Sequence, residues 1–125
     1  MNAEETLFWR LIELSERSSR KLKHRLHAIN PSKQLARKLR EIFDKYDMQI
    51  LHALSSFDVN EDDDYRSKKW GSNNESEYDV AAHILSLGYD KVMQFLETPD
   101  LIFEDNSEFL GYNEGFFAHQ LKEFE

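Results

Sequence analysis

Carboxylates gather in one stretch of this sequence, NEDDDYRSKKWGSNN over residues 60–74, and two further acids follow it closely. Negative charge steers a cationic partner toward a surface, and aromatic side chains anchor the contact once it forms. We therefore predict a partner-binding surface here, although a solvated loop is the simpler alternative. Trp70 fits either that surface or the core. The predicted partner-binding residues are Asp62, Asp63, Asp64, Tyr65, Trp70, Glu75 and Glu77.

The same stretch has part of the pattern of a calcium-binding loop. Asp58, Asn60 and Asp62 occupy the first, third and fifth places. Asp63 stands at the sixth place, where Gly makes the sharp turn, and Lys69 at the twelfth, where Glu supplies two oxygens. We therefore expect no metal and no cofactor at this loop.

Asp79 and His83 form a second candidate site, because a spacing of four residues places both on one face of a helix. Carboxylate and His pairs of this kind bind metals in di-iron bundles, but those sites need similar pairs on other helices, and no second Glu-x-x-His is present. A helix-surface ion pair is the simpler interpretation. The chain also has no Cys, no G-x-S-x-G motif and no phosphate-binding glycine loop, so we expect no enzymatic activity.

A basic segment, RKLKHRLH over residues 20–27, combines four cations with two histidines. One interpretation is a helix that contacts phosphate or RNA. The segment has no aromatic residues on which bases could stack. We therefore favour a solvated face that complements the acidic second half of the chain.

The net charge of −8 over 125 residues is distributed unevenly along the chain. Residues 1–50 hold 11 Lys/Arg and 7 Asp/Glu, a net +4, whereas residues 51–125 hold 5 and 17, a net −12. An acidic surface repels phosphate backbones and attracts cations, so we expect a protein partner, not nucleic acid. No apolar run is long enough to cross a membrane, and the acidic start MNAEETLFWRLIEL does not fit a secretory signal. We therefore expect a cytoplasmic protein.

Apolar residues recur at helical spacing along most of the chain. The pattern predicts an all-α fold of about four to six helices, in a single domain over residues 1–125 with a long acidic loop over 55–73. Ser18 and Ser19 interrupt the first stripe and predict a bend or a second cap. The stripe places Ile29 inside, Asn30-Pro31 ends it, and Ser32 is placed to cap the next helix. The aromatic residues near the end of the chain are predicted to lie in the core: Tyr112, Phe116, Phe117 and Phe124. Gly88 fits the left-handed position at the end of a helix, and Pro99 closes the helix after that.

Several short segments resemble an uncharacterised family of small bacterial proteins. They are LFWRLIELS, YDVAAHILSLGYDKVMQFLETPDLI and EFLGYNEGFF, with a tryptophan in the loop between the first two. The family is a domain of unknown function whose members are sometimes labelled relatives of a molybdenum-metabolism regulator. The resemblance implies an α-helical domain without an established activity.

The charge pattern leads to a first functional hypothesis. An immunity protein or antitoxin neutralises a cationic toxin domain, often a nuclease, by covering its active cleft with complementary charge. Such a protein needs no catalytic residues, which agrees with the missing motifs. The alternative is a regulatory or scaffold module of the kind that the family resemblance implies.

Overall fold

All regular structure in the described residues is helical, which confirms the predicted all-α class. The computed structural model describes residues 1–57 and 76–125. Two 3-10 turns, Pro99–Phe103 and Lys122–Phe124, accompany the α-helices. The helices are α1 (Ala3–Ser15), α2 (Ser19–Ile29), α3 (Lys33–Ser55), α4 (Ser76–Ser86), α5 (Tyr89–Glu97) and α6 (Ala118–Leu121).

The first apolar stripe folds as two helices because the chain reverses after Ser15. Glu16 and Arg17 both adopt positive φ, at 50° and 64°. Ser18 then caps α2, since its hydroxyl accepts a hydrogen bond from the Lys21 amide over 3.1 Å. The serine interruption is therefore the predicted second cap. Ile29, which the stripe placed inside, is 41% exposed because it ends α2 beyond the last buried turn.

Helix α3 is the longest described helix, with 23 residues, and its start is the one that the sequence predicts. The Ser32 hydroxyl accepts a hydrogen bond from the Leu35 amide over 3.1 Å. Its buried face packs against both α1 and α4. No described helix is both long and apolar enough to cross a lipid bilayer.

Gly88 joins α4 to α5 in a conformation that differs from the predicted one. Its φ of 102° is positive, as expected, but its ψ of 172° is extended and not left-handed helical. This combination of φ and ψ is accessible almost only to glycine, because a Cβ atom would strain the backbone. Gly88 therefore acts as the N-cap of α5, and Pro99 starts the 3-10 turn that follows this helix.

The C-terminal segment docks through aromatic side chains. Phe116 and Phe117 are fully buried, and the Phe117 ring lies 4.6 Å from that of Phe8 and 5.9 Å from that of Phe43. These contacts join the segment to α1 and α3. Tyr112, which we expected in the core, is 57% exposed, because it precedes the docked part of the segment.

Candidate functional site

Only one of the predicted partner-binding residues lies in the described part of the chain. Glu77, in the first turn of α4, is half-buried, and its Oε1 lies 2.9 Å from the Ser55 hydroxyl at the end of α3. This contact gives Glu77 a role in joining two helices. The other predicted residues, Asp62, Asp63, Asp64, Tyr65, Trp70 and Glu75, lie outside the described residues, as does most of the predicted loop over 55–73.

An acidic groove lies next to Glu77, between α3, α4 and the segment 114–119. Its volume is about 380 Å³. Its floor includes the apolar side chains of Phe43, Ala82 and Phe116, and Tyr78, 66% exposed, stands at its edge. The charged side chains that line it are Asp44, Asp47, Asp79, Glu114 and Arg40.

Local structure explains why these side chains converge. Asp44 and Asp47 are one turn apart on α3 and therefore face the same side. The Asn113 amide donates a hydrogen bond to the Asp79 carbonyl over 3.1 Å, which holds the chain before Glu114 against α4. Gly115 lets the chain pass His119 closely, because a Cβ atom there would lie 2.1 Å from the Nδ1 atom of that ring.

Arg40 neutralises only part of the acidic charge of the groove. Its Nε lies 3.3 Å from Oδ1 of Asp44, and one of its terminal nitrogens lies 3.2 Å from Oε1 of Glu125. Its guanidinium also lies over the ring of Phe43, 5.6 Å from the centroid. Arg40 is thus already engaged by two carboxylates. The side-chain carboxylate of Asp47 has no hydrogen bond or ion pair with any described residue, although Arg40 attracts it over a longer distance.

Asp47 is a carboxylate of the groove whose proton affinity is clearly changed. Its pKa is raised to about 6, chiefly by burial and also by the neighbouring Asp44 carboxylate, while Arg40 opposes the change. A cation placed in the groove would favour the ionised carboxylate and lower this pKa.

The Asp79 and His83 pair does not form a metal site in the described structure. His83 Nε2 lies 2.8 Å from the Glu108 carbonyl oxygen, and this nitrogen must donate because a carbonyl can only accept. The ring also packs against Gly111, where a Cβ atom would come within 2.8 Å of it. His83 thus holds residues 108–111 against α4. Within residues 1–57 and 76–125, no group of three His, Asp or Glu side chains is arranged to hold a metal ion.

Sequence reasoning missed Asp44, Asp47 and Glu114 as site residues. Two acids three residues apart on an amphipathic helix are common, and Glu114 is far from both in the sequence. The one sequence feature that pointed to this groove was that Tyr78 and Asp79 directly follow the predicted residue Glu77.

Comparisons with models of protein families, with curated protein sequences and with solved structures found no match to this chain.

Proposed function

We propose that this protein is a non-catalytic binding protein whose acidic groove receives cationic side chains of a protein partner. The observation that carries this proposal is a groove with an apolar floor in which, among the described residues, the carboxylates of Asp44, Asp47 and Glu114 are accompanied by one guanidinium, that of Arg40. An Arg or Lys side chain has the matching construction, because its aliphatic stem can lie on apolar surface while its charge meets carboxylates.

Two features of the groove favour a guanidinium or an ammonium group. Asp47 is partly desolvated and lacks a hydrogen-bond partner among the described residues, so an incoming donor would satisfy it. Tyr78 exposes its ring at the edge of the groove, where it can stack on a cation. An anionic ligand would meet repulsion from Asp44, Asp47 and Glu114.

The groove and the predicted acidic surface adjoin each other along the chain. Glu77 belongs to the predicted surface, whereas Tyr78 and Asp79, on the same turn of α4, belong to the groove. Glu75 immediately precedes this helix in the sequence. A single basic partner could therefore contact residues 60–79 and the groove together.

Among acidic binding proteins, an immunity protein or antitoxin fits these features best. Its partner would be a cationic toxin domain, such as a nuclease, whose basic active cleft is covered in the complex. The net charge of −12 in residues 51–125 supports this choice, because it would speed association with a basic surface.

An affinity pull-down tests the proposal directly. The tagged full-length protein is incubated with lysate of its source at moderate salt, and bound proteins are identified by mass spectrometry. We expect a basic, toxin-like domain in one-to-one ratio, whose activity is lost when the purified components are mixed. Recovery of a host enzyme or regulator instead would favour the regulatory module. A captured basic domain that remains fully active in the complex would contradict neutralisation.

A further inference from the structure

Helix α2 presents a cationic surface, and none of its residues lines the acidic groove. Leu22 and Leu26 are fully buried, whereas all four cations and both histidines of residues 20–27 are exposed. The helix contains no Asp or Glu. Lys23 also shares a hollow of about 430 Å³ with Lys122 from the C-terminal segment. We call this surface the α2 face and define it by Arg20, Lys23, Arg25 and Lys122.

No described carboxylate lies within ion-pair distance of the α2 face. Helix α2 makes one ion pair with a described residue, from Lys21 to Glu16, and the Nε2 atom of His27 lies against Oε1 of Glu123, each at 3.0 Å. Lys21 and His27 are outside the α2 face as we define it. Glu16 attracts Arg25 over a longer distance, and Glu123 lines the hollow that Lys23 shares with Lys122. Arg20, Lys23 and Arg25 have no ion pair with any residue in 1–57 or 76–125. The expected pairing of this basic segment with the acidic second half therefore extends, within the described residues, only to His27.

Local stability does not explain this charge arrangement. Arg20 and Lys21 lie in the first turn of α2, and no acid accompanies them there. Cations near a helix N-terminus meet the positive end of the helix dipole, which is unfavourable. A sequence that departs from a favourable local arrangement without a packing gain indicates a requirement other than folding.

The kind of partner follows from what the α2 face lacks. A protein interface is usually anchored by exposed aromatic or large apolar side chains, and a membrane-binding helix inserts such side chains among the lipids. In α2 the leucines are buried, and Ile29 at its end is the one large apolar side chain that is substantially exposed. A phosphate backbone needs only cations at suitable spacing.

We propose that the α2 face binds the phosphate backbone of nucleic acid without reading its base sequence. This departs from the expectation, based on the net charge, that the protein binds no nucleic acid. The acidic residues elsewhere do not prevent such binding, because salt screens exposed charges beyond about 8 Å at physiological ionic strength. RNA and DNA share this backbone chemistry, so the experiment includes both.

The test measures the binding of the full-length protein to two fluorescein-labelled probes, single-stranded oligouridylate and a DNA duplex, by anisotropy across a range of NaCl concentrations. With four cations in contact, the slope of log K against log salt should be about −3 for the single strand and about −4 for the duplex. The variant Arg20→Glu, Lys23→Glu, Arg25→Glu should lose at least tenfold in affinity. The variant Arg20→Lys, Arg25→Lys, which keeps the charge, should retain binding within about threefold.

A matched control separates the α2 face from net charge. The variant Arg10→Glu, Lys45→Glu, Lys91→Glu changes the net charge equally, at exposed positions on α1, α3 and α5. It should bind within about twofold of the wild type. An equal loss in this control, or no salt-dependent binding of either probe by the wild type at low salt, overturns the proposal. Binding to phosphatidylserine vesicles without binding to either probe would also overturn it, in favour of a membrane surface. Circular dichroism checks that every variant remains folded.

Discussion

The hydroxyl of Tyr46 donates a hydrogen bond to Oε2 of Glu5 over 3.0 Å and thereby joins α3 to α1. The Lys45 ammonium lies 3.4 Å from the other oxygen of the same carboxylate. Tyr46 is buried, and burial raises the pKa of its hydroxyl, as does the Glu5 carboxylate that accepts its hydrogen bond. The neutral, donating form of Tyr46 is therefore the stable one.

Removing this hydroxyl should weaken the contact between α1 and α3. We expect Tyr46→Phe to lower the free energy of unfolding by about 1 kcal/mol, because a part-buried carboxylate loses a donor. Urea denaturation followed by circular dichroism measures the change. Tyr112→Phe is the matched control, since Tyr112 is 57% exposed, and it should change stability by less than about 0.5 kcal/mol. Equal free energies of unfolding for Tyr46→Phe and wild type would show that this hydrogen bond makes no net contribution to stability.

The raised pKa of Asp47 should make stability fall as pH rises. Its pKa is about 6 in the folded protein against 3.8 for an ordinary Asp, so the folded state holds the proton more tightly. The penalty of ionising the buried carboxylate therefore develops between these two values and is complete above about pH 6. Asp47→Asn cannot ionise. We expect it to be more stable than wild type at pH 7.5 by about 1–2 kcal/mol, after allowance for partial exposure, and similar at pH 4.

Denaturant titrations at several pH values between 4 and 8 measure this difference. Glu41→Gln provides the control, because Glu41 is an exposed carboxylate on the same helix. Its stability should follow that of the wild type at every pH. Parallel pH profiles for Asp47→Asn and wild type would mean that the ionisation of Asp47 does not cost the fold stability.

Neutralising the groove should weaken binding of the partner that the pull-down identifies. The variant Asp47→Asn, Glu114→Gln removes two of the four carboxylates with little change in side-chain volume. We expect at least a tenfold loss of affinity, because two charge-assisted contacts to a cation are lost. Calorimetric titration with the purified partner measures it. The variant Glu104→Gln, Asp105→Asn, which removes two exposed carboxylates outside the groove, should change affinity by less than threefold. An equal loss of affinity in both variants would mean that binding depends on the net charge of the protein and not on the groove.

Reversing charge at the acidic segment tests the surface that the sequence predicts. Replacing Asp62, Asp63 and Asp64 by Lys should weaken partner binding strongly and reduce its dependence on salt, because the attraction over long range is removed. Association rates measured at two salt concentrations give the result. If affinity and salt dependence both stay unchanged while the groove variant loses binding, the interface is the groove and the acidic segment is solvated surface.

Helix α3 illustrates what local sequence can predict. A residue before proline avoids the α region, a serine caps the next helix, and apolar residues at helical spacing continue to Leu54. Each of these effects acts within a few residues and depends little on the rest of the chain. The same reasoning predicted a bend or a second cap at Ser18 and Ser19, and the structure has the cap at Ser18.

Ile29 and Tyr112 show where the same reasoning fails. Both have side chains that usually enter a core, yet one is 41% and the other 57% exposed. Periodicity identifies an apolar face but not where the opposing element ends. Gly88 shows a related limit, because a glycine permits several positive-φ conformations and only the packing of α4 against α5 selects the extended one.

The sequence by itself determined the helical class, the serine caps of α2 and α3, and the uneven charge, because these follow from residue type and short spacing. The tertiary structure alone decided which carboxylates meet. Asp44 and Asp47 share a groove with Asp79 because α3 packs against α4, and with Glu114 because the tail aromatics dock on α1 and α3. Docking of the tail also brings Glu125 to Arg40. Burial of Asp47, and with it the raised pKa, also depends on neighbours far away in the chain. Contacts of this kind depend on packing, which no local pattern specifies.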